Sequence, residues 1–509
     1  MKENPKLKNI SKSAGGITLI ALVITIIVLL ILAAISINML SGENSILSQA
    51  GRARDKTTEA KKEEQVRLTQ MSASLNLNGT VTNEGVNIPA GFAMSEKEGE
   101  NKLKDGVVMV DSRGNEYVWV EVPNSNQGGT PEFGPDYASQ GLTSEKIEEE
   151  TITDNQKSKI ETALINYVTK DLLNGNDYKT GRIGWKDEWY SGCGISSPEE
   201  YTALYKKMLK SVYNNGGFWI GRYEAGTINP RDTESDSIDG LIPLSKADLY
   251  PIYYVTCAQA QTIASRVNNI GDKSCSLMFG IQWDCVLKYL QKRGNLSKSD
   301  LTLDCKKFGN FNNSEIKLNR GKYNIYDAEE WKLTTWKDYF EKTDDYVNEN
   351  HEKIKNKDEE ETAQGIILLT TGASETSKIL NIYDIAGNID EWTLEHATSN
   401  SQVPCSTRGG NFVDIDSYGP CSGRGSVHTL FSVDCVRFPI NNLLAENGTV
   451  LFSKKKLENG TVLFSKKKLL MKISRNKYIF FQEKDYLKKI MIKAKKCKLR
   501  NDNKKEYKK

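Results

Sequence analysis

Three carboxylates, Asp384, Asp390 and Glu391, fall within eight residues of the stretch Asn381–Thr393, NIYDIAGNIDEWT. Around a Gly387-Asn388 turn, such a segment can fold tightly about a hard cation, because Ca²⁺ takes its oxygens from carboxylates and from carbonyls at turns. The same residues also suit a core strand and turn with acids left on the surface. Softer metal chemistry has less to draw on. The nine cysteines (193, 257, 275, 285, 305, 405, 421, 435 and 497) contain no C-x-x-C pair and no zinc spacing. An odd number at irregular intervals does not read as a disulfide framework either. Only three histidines occur, His351, His396 and His428, so a histidine metal site or a Ser-His-Asp triad has little material.

The segment NIYDIAGNIDEWT resembles the N-x-x-G-N-x-x-E-W element of the formylglycine-generating enzyme (sulfatase-modifying factor) family, with Asp384 where that family often has Asn. Arg408-Gly409-Gly410-Asn411-Phe412 is similar to its R-G-G-S-W, and Asp434-Cys435-Val436-Arg437-Phe438 to its closing G-F-R or G-V-R. Upstream, Ser276–Tyr289 resembles the helix L-P-T-E-A-E-W-E-Y, and Tyr253–Ala264 the helix V-S-W-E-D-A. The resemblance runs over about Gly114–Ile440. It implies a C-type lectin-like fold and a calcium ion held by the carboxylates of Asp384 and Glu391 and the carbonyls of Gly387 and Ile389.

The resemblance also bears on catalysis. Formylglycine-generating enzymes hold copper with a pair of cysteines after R-G-G-S-W, and a Cu(I) ion of this kind wants thiolates. Those positions fall here on Asp414 and Gly419, so the oxidoreductase is only the third reading. Other relatives keep the scaffold and bind, among them the variable proteins of diversity-generating retroelements. In those the segment after R-G-G forms the ligand face. Here it is Asn411–Asp434, rich in Asp, Ser, Tyr, Asn and Gly, residues that adapt to varied partners in binding loops. Asn411, Asp414, Asp416, Ser417, Tyr418, Ser426 and His428 are the candidate ligand contacts.

The elements that must position these residues begin with a basic leader, Lys2, Lys6, Lys8 and Lys12, then Gly16 and the apolar run Ile17–Met39. That length suffices for a membrane helix. The arrangement resembles a type IV prepilin leader, with Ala21 where that family has Glu, and it implies cleavage between Gly16 and Ile17. The lysines place the N-terminus inside and everything after about Ser41 outside. Residues 41–78 read as a charged stalk helix. Val107–Val122 reads as a hairpin turning at Asp111–Asn115, and Phe218–Tyr223 as a further strand. Residues 124–215 read as an insertion with helices at Glu161–Leu173 and Pro198–Tyr213. A second insertion, 291–377, carries Trp331, Trp336 and Tyr339, which suit docking onto the body.

Charge is divided unevenly. From Glu446 onward there are 21 Lys+Arg against 6 Asp+Glu, while the rest carries 48 against 60, for a total of +3. An acidic body is thus followed by a basic tail, 441–509, holding the direct repeat ENGTVLFSKKKL at Glu446–Leu457 and Glu458–Leu469. The tail reads as disordered.

Together these features predict an α+β protein: a long N-terminal membrane and stalk helix, then a C-type lectin-like domain of sulfatase-modifying type (107–440) with two insertions. The expected role is a surface-exposed, single-pass membrane protein that binds an extracellular protein or glycan, with calcium and without nucleic acid. A minor pilin or pseudopilin, with pilin-like assembly, is the alternative.

Overall fold

The computed structural model describes residues 23–31, 46–76 and 79–427 with internal gaps (the longest at 170–183 and 355–365), then 439–441 and three short stretches of the tail. Gly16, Ile17, Trp331, His428 and Arg437 lie outside the described residues.

Of the N-terminal apolar run, residues 23–31 are described, and they are helical. Among the described residues no helix is long and apolar enough to cross a membrane. The single-pass membrane reading is corrected on that finding.

The helix Ile46–Leu75 follows. Its early turns are charged and its described side chains there are exposed. Near its end Gln65, Val66, Thr69, Gln70 and Ala73 turn inward at i, i+4 spacing onto the strands Phe92–Met94 and Val108–Asp111. Asn76 closes it, donating from Nδ2 to the carbonyls of Phe92 (2.8 Å) and Pro89 (3.2 Å).

The protein is α+β. Its largest sheet has six antiparallel strands in the order Ser274–Cys275, Pro439–Asn441, Gly217–Gly221, Glu116–Glu121, Val108–Asp111 and Phe92–Met94. The predicted hairpin forms because Asp111 makes its own turn: its Oδ1 accepts from the amides of Arg113 (2.8 Å) and Asn115 (2.9 Å). Trp119 sits opposite Trp219 with ring centroids 5.3 Å apart, edge to face.

Residues 124–215 are not peripheral to the core. Their helices, Asp154–Thr169 and Pro198–Asn215, bury Ile160, Leu164, Tyr201, Tyr205, Leu209 and Val212 in the same cluster as Trp119 and Trp283. The first helix starts a turn or two before the predicted Glu161 because Thr153 and Gln156 form a capping box. The Gln156 amide donates to Thr153 Oγ1 (3.2 Å) and the Thr153 amide to Gln156 Oε1 (2.8 Å). The second follows local rules throughout, with Ser197 as N-cap, Pro198 in the first turn and left-handed Gly216 at its end.

A four-stranded antiparallel sheet, ordered Gly425–Val427, Cys405–Arg408, Glu391–Ala397 and Trp185–Lys186, carries the closing motifs. Against it packs the helix Gly280–Arg293. The second predicted insertion builds a sheet of its own from Lys322–Asp327, Lys332–Asp338 and Ile367–Leu369, over a small core of Ile316, Leu318, Tyr323 and Val347. Trp336 docks it on Tyr250, with centroids 5.0 Å apart. In the basic tail Thr461–Leu463, Leu470–Ser474 and Lys477–Ile479 pair antiparallel.

Candidate ligand-binding face and the buried network beneath it

Asn381–Thr393 is the segment through which distant parts of the chain are joined. Asn381, left-handed at φ 65°, donates from Nδ2 to the carbonyls of Gly99 (2.6 Å), Asp105 (2.9 Å) and Gly106 (2.8 Å). Tyr383 stacks on Tyr223 at 4.9 Å, and the Arg222 guanidinium lies 5.5 Å from the Tyr383 centroid. Arg222 is itself buried, and its Nη1 reaches Glu100 Oε1 and Glu116 Oε2, each at 2.7 Å. Trp392 donates from Nε1 to the Val255 carbonyl at 3.0 Å. Glu391 enters a strand opposite Arg408. Its carboxylate fills the space beside Gly409, where a Cβ would meet Oε2 at 2.3 Å.

The turn itself is held by amides and one carboxylate. Asn388, also left-handed, donates from Nδ2 to Glu224 Oε2 at 2.6 Å, and the Ile389 amide donates to Glu224 Oε1 at 3.3 Å. Asn388 Oδ1 accepts from Asn310 Nδ2 at 3.0 Å. Asn310 Oδ1 in turn accepts from Lys353 Nζ at 3.2 Å, and the same amine donates to the Phe311 carbonyl. Lys353, Asn310, Asn388 and Glu224 are all buried. A chain of two amides thus separates a buried ammonium from a buried carboxylate, each amide oriented by both neighbours. Burial lowers the Lys353 amine from its ordinary 10.5 to about 7.

A second polar cluster lies under the closing motifs. Arg408 Nη2 donates to Asp284 Oδ1 at 2.8 Å and its Nη1 to Glu395 Oε2 at 3.2 Å. Arg424 closes the ring, from Nη2 to Asp284 Oδ2 at 2.6 Å and from Nε to Glu395 Oε2 at 3.0 Å. All four side chains have zero exposure. Two cations and two anions balance, which makes burial of four charges tolerable. Burial, and after it the like charge of Arg424, lowers the Arg408 guanidinium from its ordinary value. The helix carrying Asp284 is capped from 93 residues away: the Gly280 and Ile281 amides donate to Asp187 Oδ1 (2.7 Å) and Oδ2 (3.1 Å).

Over this base runs the loop after Gly410. Its inward residues fasten it. Phe412 donates its amide to the Asn388 carbonyl at 3.0 Å, and Asp414 accepts on its carbonyl from Asn312 at 2.9 Å. Asp416 is buried, with Oδ1 accepting from Asn313 Nδ2 (3.0 Å) and Oδ2 from the Lys306 amide (3.2 Å). Gly410 and Gly419 touch so closely that a Cβ on Gly410 would meet the Gly419 carbonyl at 1.8 Å. Outward stand the side chains of Asp414, Ser417 and Tyr418, the last 69% exposed. Asn411 Nδ2 is shared between Asp390 Oδ2 (2.8 Å) and Asp414 Oδ2 (3.0 Å). Burial of the Asp390 carboxyl, together with the neighbouring Asp414 charge, pushes it up to about 6 against the lowering effect of Asn411.

No family model, curated protein or solved structure matches the chain. Of the seven candidate contacts, the structure brings Asn411, Asp414, Ser417 and Tyr418 onto one loop. Asp416 serves inside, and Ser426 stands half-buried on the edge strand Gly425–Val427.

Of the calcium set, Asp384 is already engaged by the chain, and the Glu391 carboxylate is buried beside Gly409. Asp384 is buried with both oxygens engaged, Oδ2 by the Gly372 amide and Oδ1 by the Ser377 hydroxyl, each at 2.6 Å. Among the described residues no group of three or more His, Cys, Asp or Glu could hold a metal ion. Asp384 ties the segment from Gly372 to Ser377 to the turn.

Sequence reasoning passed over Glu224, Lys353, Asp187, Glu395 and Arg424. One signal was visible in Asp284, a lone acid in the apolar helix run GIQWDCVLKY.

Proposed function

We propose that this chain is a non-catalytic ligand-binding protein whose binding face is the loop Asn411–Tyr418. The domain behind it is read as sulfatase-modifying type with a C-type lectin-like fold, and the ligand as a protein or a glycan. Convergence of the quoted motifs supports the fold. The Gly387 amide donates to the Gly409 carbonyl at 2.9 Å, and Asp284 of the helix motif pairs with Arg408 of R-G-G.

The observation that carries the binding reading is the division of labour in the loop. Phe412 and Asp416 fasten it, while Asp414, Ser417 and Tyr418 are held outward on a prepared base. Preorganisation of this kind lowers the ordering cost of binding. An exposed tyrosine supplies large contact area from a side chain with few rotatable bonds. At the positions where formylglycine chemistry needs thiols stand an exposed carboxylate, Asp414, and Gly419 pressed against Gly410.

The test is a glycan and protein array probed with the full chain, followed by titration of any hit. Tyr418→Ala and Asp414→Ala should each weaken it about tenfold, roughly 1.4 kcal/mol, with the melting temperature unchanged. A ligand indifferent to both substitutions would place the binding face elsewhere.

A further inference from the structure

Cys305 and Cys421 belong to segments 116 residues apart, yet Cys305 Sγ lies 3.5 Å from Cys421 Sγ. Both residues are fully buried and unbridged. Their surroundings hold the sulfurs face to face. The Cys421 amide donates to Cys305 Sγ at 3.2 Å, and each thiol lies 3.2 Å from a carbonyl of the short helix Lys298–Thr302: Cys305 from Asp300, Cys421 from Leu301. The Ser422 amide adds a further bond to the Leu301 carbonyl at 3.2 Å. Behind Cys421, its carbonyl accepts from Trp283 Nε1 at 2.8 Å. Two backbones already docked in this way need move their sulfurs by only about 1.5 Å to reach a disulfide bond length near 2.05 Å.

We propose that Cys305 and Cys421 are a redox pair whose disulfide staples the segment 298–307 to the base of the loop that carries Arg424. The oxidant is a low-molecular-weight disulfide. One thiolate attacks it, releasing one thiol and forming a mixed disulfide. The second thiolate then displaces the other half, so two protein thiols become one disulfide and the oxidant leaves as two thiols. Because both sulfurs are buried, exchange waits on local opening of Pro420–Ser422. Burial also raises the Cys421 thiol well above its ordinary value, which slows attack further. The staple closes a long loop, the arrangement in which a cross-link most restricts the unfolded chain.

The experiment incubates the full chain with oxidised glutathione or with dithiothreitol, then digests it without reduction for peptide mass spectrometry. The proposal requires a Cys305–Cys421 linked peptide in the oxidised sample. It also requires a melting temperature at least about 5 °C above the reduced sample. Cys305→Ala and Cys421→Ser should each abolish that oxidised-minus-reduced difference, whatever their own stability. If either variant fails to fold, the peptide map of the unaltered chain still decides. Glutathione adducts or other cysteine pairings without the 305–421 link would overturn the proposal, as would a link that leaves the melt unchanged.

Discussion

At the scale of single residues, the cost of burying charge makes two sharp predictions. Lys353 titrates near 7 when folded and near 10.5 when unfolded. Between those values the unfolded chain binds a proton that the folded chain does not, so stability rises with pH across that window. The gain is on the order of 3–5 kcal/mol from pH 7 to 10.5, and below pH 7 this contribution is flat. Lys353→Met should remove that slope when denaturant melts of the two proteins are subtracted at each pH. Identical slopes would mean that the Glu224 end of the amide chain keeps the amine charged. The Arg408–Asp284–Arg424–Glu395 ring makes a different demand. Arg424→Met leaves two carboxylates facing one guanidinium and should lower stability by about 3–5 kcal/mol in urea melts. A loss below about 1 kcal/mol would show that water enters the ring.

At the scale of elements, caps explain both what could be read and what could not. The helix Pro198–Asn215 and the hairpin at Asp111 were legible because each signal lies within a few residues of the element it shapes. The helix Gly280–Arg293 has its N-terminal amides satisfied by Asp187, which no local pattern announces. Asp187→Ala should therefore cost about 2–3 kcal/mol, since two buried amides lose a charged acceptor at once. Asp187→Asn should recover part of that loss, measured in the same melts. Residues 124–215 read as decoration because their sequence is polar overall, while the apolar stripe of each helix faces a core assembled from both sides of the chain, Trp119 before it and Trp283 after it. The stretch Asn381–Thr393 stands out in the sequence for its closely spaced carboxylates and Gly-Asn turn, but its partners do not. Glu224 and Asn310 lie 164 and 78 residues from Asn388, and spacing within one segment carries no trace of them. Asp384, one of the carboxylates that suggested a metal, accepts from the Gly372 amide and the Ser377 hydroxyl.

At the scale of the whole molecule, the helix Ile46–Leu75 meets the body, among the described residues, through its last turns, from Gln65 to the cap at Asn76. Removing residues 1–61 should leave the melting temperature within about 2 °C. Removing residues 1–76 should cost about 2–4 kcal/mol, from lost burial of Val66 and Ala73 and of the Asn76 bonds. Calorimetry on the two truncations checks this, and equal melts would show that the docked turns contribute nothing. The loop Asn411–Tyr418 has a consequence of another kind. Its fastening residues, Phe412 and Asp416, are interleaved with outward ones, Asp414, Ser417 and Tyr418. Substitution at Ser417 or Tyr418 changes what a partner meets while the Phe412 amide bond and the Asp416 carboxylate bonds stay in place. This region can therefore accept varied side chains on a frame fastened elsewhere, so that specificity can be altered one position at a time.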